Sequence, residues 1–359
     1  MKAKIKQFLT EHPALQFLVP VCQFVLGIPF KLRNVLFREI LRLRLFALWL
    51  AKRQQLLLFV RCGGIGDILC SLPAYEAVCR ANPSLRSVFI TLAEFKCLPK
   101  LARAPGSLCT TRTYCSIPRF PRWMVAKVFS PQYADEFGRQ SSSAHLIDEF
   151  FHACGLAPTD ARPRFWINPN AVEKIRESLR IESGGSKTVV IHPGPSWKVK
   201  EWPAEHWQAL VDGLRASSPS VRIFQIGAHR HVTIGATKAM TLRGVESLVD
   251  KLSLEDIAAL LSVADLFIGI DSGMIHMAGA AGASCVGIYG PTNPAFLLPR
   301  NPNAFGISHP LPCSFCHHRQ PRLHFQIGCP HDIACMKLLM PEKVLGKCLE
   351  LLTASTVRI

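Results

Sequence analysis

The sequence reads as an α/β protein in which two Rossmann-like, parallel-sheet domains face a cleft. Three observations predict this. A length of 359 residues exceeds what one hydrophobic core usually organises and suits two domains. After Gln55, short apolar runs alternate with helical stretches, the pattern of parallel strands joined by crossover helices. A strand, a glycine-containing turn and a helix follow one another once in each half.

Composition narrows the class further. Hydrophobic residues make up 49% and charged residues 19%, which excludes a largely disordered chain. The surplus of 42 Lys and Arg over 25 Asp and Glu gives +17 and favours anionic partners: nucleic acid, phosphorylated metabolites or an anionic membrane face. Residues 1–53 hold ten basic and two acidic residues, so about half of that surplus sits in the first sixth of the chain. Fourteen cysteines in so long a chain fall well below the density of a disulfide scaffold and point to a reducing compartment.

The elements follow in order. The apolar stretch 14–30 comes after Lys2, Lys4 and Lys6, but Glu11, His12, Pro13, Pro20 and Pro29 interrupt it. It offers no convincing small-residue cleavage site, and the interruptions favour a segment that lies on a membrane over one that spans it, the two alternatives for this stretch. Residues 34–51 have helical spacing, with Arg38, Arg42 and Arg44 expected largely on one side. That suits either a helix lying in a membrane interface or one packed on the first domain with snorkelling arginines. A strand at 56–60 leads through a glycine turn to a helix that starts or kinks near Pro73 and runs to Asn82, followed by a strand at 88–92. Residues 103–145 are expected to be loops with short helices, 145–155 a helix, and the proline-rich 157–170 an interdomain linker. The second half predicts strands at 188–192, 221–227, 266–270 and 285–289, and helices at 204–217, 233–241, 254–262 and 274–282, with Ser253 and Asp256 as a capping box.

Three stretches carry chemistry. Cys62-Gly63-Gly64-Ile65-Gly66-Asp67 leaves a strand and opens a helix, where glycines let backbone N–H groups approach a ligand; the plain alternative makes Asp67 an N-cap. His192-Pro193-Gly194-Pro195-Ser196-Trp197-Lys198-Val199-Lys200-Glu201-Trp202-Pro203 puts a hydroxyl and two lysines on a loop before a helix, groups that suit phosphate oxygens. Asp271-Ser272-Gly273-Met274-Ile275-His276 follows a buried-looking strand and opens a helix of small residues, whose first amides suit a diphosphate.

With Tyr289-Gly290-Pro291-Thr292, these elements resemble, in order and over roughly residues 55 to 350, the family-nine glycosyltransferases, the ADP-heptose:lipopolysaccharide heptosyltransferase family. The resemblance implies a GT-B fold, and a metal-independent, inverting transfer of heptose from ADP-heptose or a related nucleotide sugar to the inner core of lipopolysaccharide. It implies no required cofactor. Carried over by position, Asp67 is the catalytic base beside Gly64 and Gly66 of the glycine loop, and Ser196, Lys200, Asp271, Ser272, Gly273 and His276 bind the donor. After Gly227 the family commonly offers a Glu near the donor ribose, whereas Ala228-His229-Arg230-His231 has no carboxylate.

The expected organisation is a membrane-associating segment 1–53, an acceptor domain 54–160 and a donor domain 161–359. The expected location is the inner face of the cytoplasmic membrane. Cys313, Cys316, Cys329 and Cys335 allow either unbound thiols or a structural zinc, with His317, His318, His324 or His331 as substitute ligands and no catalytic role. Competing readings are an epimerase or another GT-B transferase, a non-catalytic relative, and a nucleic-acid binder. The last rests on charge alone, since no recognisable nucleic-acid module is present.

Overall fold

A computed structural model describes residues 30–111, 119–132, 144–182, 184–231, 235–236, 239–319 and 328–354. Most of the stretch 14–30 lies outside them, and no helix among them is long and apolar enough to cross a membrane.

The first sheet contains β1 (Leu56–Val60), β2 (Arg86–Leu92), β3 (Ser107–Thr111) and β4 (Val125–Phe129), all parallel, in the order β3-β2-β1-β4. Every residue of β1 is buried because both faces of the sheet are covered. Leu56, Leu58 and Val60 pack with Leu41 and Leu45 of the helix Phe30–Lys52. On the other face, Phe59 stacks on Phe89 and meets Tyr75 of the helix Ile65–Arg80.

The second sheet contains β5 (Thr188–His192), β6 (Arg222–Gln225), β9 (Glu246–Ser247), β10 (Leu266–Ile270), β11 (Cys285–Tyr289) and β12 (Ala304–Ser308) in the order β12-β11-β10-β5-β6-β9, again all parallel. Two-residue strands β7 (Arg230–His231) and β8 (Gly235–Ala236) pair antiparallel beside it. The helix Ala204–Ser217 packs against the C-terminal helix Pro341–Ala354, with Trp202 and Trp207 fully buried. In each sheet the direction of winding reverses once, between β1 and β4 and between β5 and β10. Ligands of such folds lie beyond the carboxyl ends of the strands at these reversals.

Several expectations need correction. The helix after β1 begins at Ile65 and continues through Pro73, so the proline does not start it. Residues 103–145 contain β3 and β4; β3 is largely polar and β4 is short, partly exposed and carries Lys127, so neither gives a clear strand signal. Residues 235–236, read as part of a helix 233–241, form β8 instead. The arginines of the first helix do not share one side: at about 100° per residue, Arg42 and Arg44 lie about 160° apart. The segment 157–170 is tied to both halves, because Phe165 N–H donates to Ala280 and Trp166 N–H to Leu101. One hydrophobic cluster spans the two halves where the helix Ile65–Arg80 packs on the helix Gly273–Ala281.

Candidate functional site

The chain leaving β1 at its winding reversal carries Arg61 and then the glycine turn. Asp67 is not the N-cap of the following helix. Gly64 holds that position, and Asp67, three residues on, folds back so that Oδ2 accepts from Gly64 N–H at 2.8 Å. Arg61 Nη2 stands 3.5 Å from the same oxygen. The arginine side chain is 5% exposed and that of Asp67 25%, so the carboxylate is the part of the pair that reaches solvent. Arg61 also donates to Pro131 O, just past β4, and lies over the Phe150 ring. Sequence reading passed over Arg61, although its position at the end of a fully buried strand, close to an acid, was a usable signal.

At the second reversal, Asp271 directly follows β10 and His192 ends β5. Lys200 Nζ binds Asp271 Oδ2 at 2.7 Å, with both side chains largely buried. Burial alone would raise the Asp271 carboxyl. The Lys200 charge and hydrogen bond, then Thr292 and His276, outweigh it and hold the group below the usual carboxylate range. The lysine expected on the donor is therefore already oriented by an acid, while Lys198 is at the surface. Ser272 caps the helix Gly273–Ala281, accepting from Met274 N–H at 3.3 Å, and its hydroxyl is 3.2 Å from His192 Nδ1. Ser196 is buried in the loop after β5, its N–H 3.4 Å from Glu201 Oε1.

The two helix starts meet at glycines. A methyl group at Gly66 would come within 2.8 Å of His276 Cδ2, and one at Gly273 within 2.6 Å of Ile65 Cβ. Larger residues would force the two starts apart. His276 is buried, with Nδ1 at 3.4 Å from Cys70 Sγ. Burial lowers its pKa to about 4 in spite of Asp271 and Asp67, so at neutral pH the ring acts as a hydrogen-bonding group without charge.

A carboxylate from elsewhere in the chain lies beside the residues after Gly227. Asp250 Oδ2 is 2.7 Å from His229 Nδ1, His229 N–H donates to Asp250 Oδ1, and Asp250 N–H donates to Gly227 O.

The four C-terminal cysteines line one small pocket with His331, Val199 and Pro291. Among the described residues no group of three or more His, Cys, Asp or Glu side chains is placed to hold a metal ion. Burial pushes the Cys335 thiol up to about 12 and also raises Cys316, and none of the four cysteines is in a disulfide. Phe315 N–H and His317 N–H donate to Gly290 O and Pro291 O, so this region braces the loop that carries Thr292. His324 lies outside the described residues.

Comparison with known proteins places this geometry in a family. Residues 132–325 match the model of glycosyltransferase family 9 (heptosyltransferase). The chain is 28% identical over 143 residues to lipopolysaccharide heptosyltransferase 1 of Pseudomonas aeruginosa, covering 39% of each protein. It is 28% identical over 178 residues to lipooligosaccharide heptosyltransferase 2 of Campylobacter jejuni, covering 48% of this chain and 53% of that one. The chain thus spans about two-fifths to one-half of these relatives' length. In fold it is similar to Escherichia coli ADP-heptose lipopolysaccharide heptosyltransferase II, with a TM-score of 0.59 and 14% identity over 85% of this chain and 100% of that one. It is also similar to the iron-containing dodecameric glycosyltransferase TibC of enterotoxigenic E. coli, with a TM-score of 0.65 and 18% identity over 84% of this chain and 77% of that one. The two parallel α/β units are a GT-B fold, and the chain belongs to glycosyltransferase family 9.

Proposed function

We propose that this protein transfers a heptose from ADP-heptose, with inversion, to an inner-core sugar of lipopolysaccharide. An acceptor hydroxyl oxygen attacks the anomeric carbon from the side opposite the diphosphate. The new C–O bond forms as the bond to the diphosphate breaks, the hydroxyl proton passes to Asp67, and ADP leaves with the bonding pair. Lys200, oriented by Asp271, receives the diphosphate together with Ser196 and the amides that begin the helix Gly273–Ala281. These groups supply the positive potential in place of a metal in this reading. Residues 54–160 act as the acceptor domain and 161–359 as the donor domain. The basic segment 1–53 associates with the inner face of the cytoplasmic membrane.

The observation that carries the reading is the meeting of the two helix starts. Gly66 against His276, and Gly273 against Ile65, bring the turn bearing Asp67 beside Asp271, whose partner Lys200 comes from the loop after β5. A thermal-shift screen of nucleotide sugars tests it. ADP-heptose should stabilise the protein by roughly 2.7 kcal/mol at a hundred times its Kd, with weaker responses to UDP- and GDP-linked sugars. A second reading is the same chemistry with a different nucleotide sugar. It is favoured by the exposed His229 and Asp250 pair where the family commonly offers Glu, and a selective UDP or GDP response would establish it.

A further inference from the structure

We propose that the outward face of the helix Phe30–Lys52, with Trp123 and Val128, docks the protein on an anionic lipid surface; this deepens the membrane reading above and rests on it for the partner's chemistry. At about 100° per residue, Val35, Leu43, Phe46 and Leu50 fall within about 80° of the helix circumference, and Ile40 widens the strip to about 140°. All five are exposed, whereas Leu41 and Leu45 on the opposite side are buried against the first sheet. Arg42 borders one edge of the strip and Arg44 the other. The helix's single acid, Glu39, falls within the strip between Phe46 and Leu50, where Arg42 at its edge engages it at 2.9 Å.

The apolar surface continues beyond the helix. Trp123, 53% exposed, meets the Trp49 ring edge-on at 4.7 Å. Val128, 51% exposed, pairs in parallel register with Leu58, so it lies on the face of the sheet that the helix covers. Exposed aliphatic side chains edged by arginines and flanked by tryptophan match a lipid interface: the apolar groups enter the acyl boundary while arginine stems snorkel to the headgroups. Charge complementarity selects this occupant over a second copy of the chain. Two such faces brought together would oppose their arginine edges, whereas an anionic leaflet attracts both.

The test uses the full-length protein in sedimentation with vesicles of phosphatidylcholine, alone or mixed with anionic phosphatidylglycerol. Binding should require the anionic lipid and weaken with salt. The double substitution Leu43→Glu and Phe46→Glu should reduce it by about tenfold or more, since two apolar anchors become acids, while the unfolding midpoint and the donor-induced thermal shift stay as in the wild type. Equal binding by the double variant overturns the proposal, as do no binding by wild type or a wild-type dimer that the double variant dissociates. Transfer to a delipidated, soluble core acceptor reports separately on catalysis. If that transfer is absent while vesicle binding behaves as expected, the catalytic reading fails and the docking face stands.

Discussion

Replacing Asp67 by Asn removes a proton acceptor while keeping the side chain's size. The amide oxygen can still accept from Gly64 N–H, now at 2.8 Å from the carboxylate, so the helix start should survive. What is lost structurally is the charge facing Arg61, 3.5 Å away. Because Asp67 is a quarter exposed and Arg61 retains Pro131 O and the Phe150 ring, that loss should cost about 1–2 kcal/mol, well short of breaking a fully buried pair. The catalytic cost should be larger. Removing a general base lowers turnover by roughly 10² to 10⁴, equivalent to about 2.7–5.5 kcal/mol of barrier. The assay is ADP release with ADP-heptose and a heptose-deficient core acceptor, alongside urea unfolding and the donor-induced thermal shift. The expected result is a folded variant that keeps its donor response and loses turnover. Turnover within about threefold of wild type would mean that the carboxylate only caps the helix, and the base assignment would be refuted.

Lys200→Met should leave Asp271 buried without its cation and destabilise the protein at pH 7 by about 3–5 kcal/mol, as well as weakening donor binding. In the wild type the depressed Asp271 group contributes stability that is lost only as pH falls below about 4 through its lowered native pKa. In the variant burial acts without the lysine and raises the carboxyl, so protonation relieves the buried charge, and urea titrations at pH 7 and pH 5 should show a smaller variant deficit at the lower pH. His276, lowered by burial to about 4, favours the native state above its ordinary pKa, and this stabilisation fades as pH falls from about 6.5 to 4, by about 3 kcal/mol in all. His276→Gln should flatten that slope in pH-dependent unfolding, and an unchanged slope would assign it to other groups. Gly273→Ala should push the two helix starts apart, costing about 1–3 kcal/mol and lowering turnover, whereas an equally stable and active variant would show that the close approach is dispensable.

What could be read from the sequence alone was set by burial on both faces. β1, β5, β10 and β11 are short, fully buried runs, and a parallel strand covered by helices on each side is a contiguous apolar word bounded by turns. The loops leaving three of those strands carry Asp67, Ser196, Lys200 and Asp271, so the candidate site was legible as local motifs at strand ends. Tertiary structure decided everything that depends on residues distant in the chain. β3, largely polar, and β4, short and partly exposed, flank their sheet, and only pairing with β2 and β1 makes them strands. Asp250 reaches His229 because β6 and β9 lie side by side, which no local pattern encodes. Arg61 gains its meaning from Pro131 beyond β4 and from Phe150 on a later helix. The four cysteines have metal-like spacing, yet spacing sets only how far the sulfurs can reach; the fold is what gathers all four around one pocket with His331. The neutrality of His276 is likewise a property of its burial between two helices, because an imidazole's charge is decided by the solvent and the charges that the fold places around it.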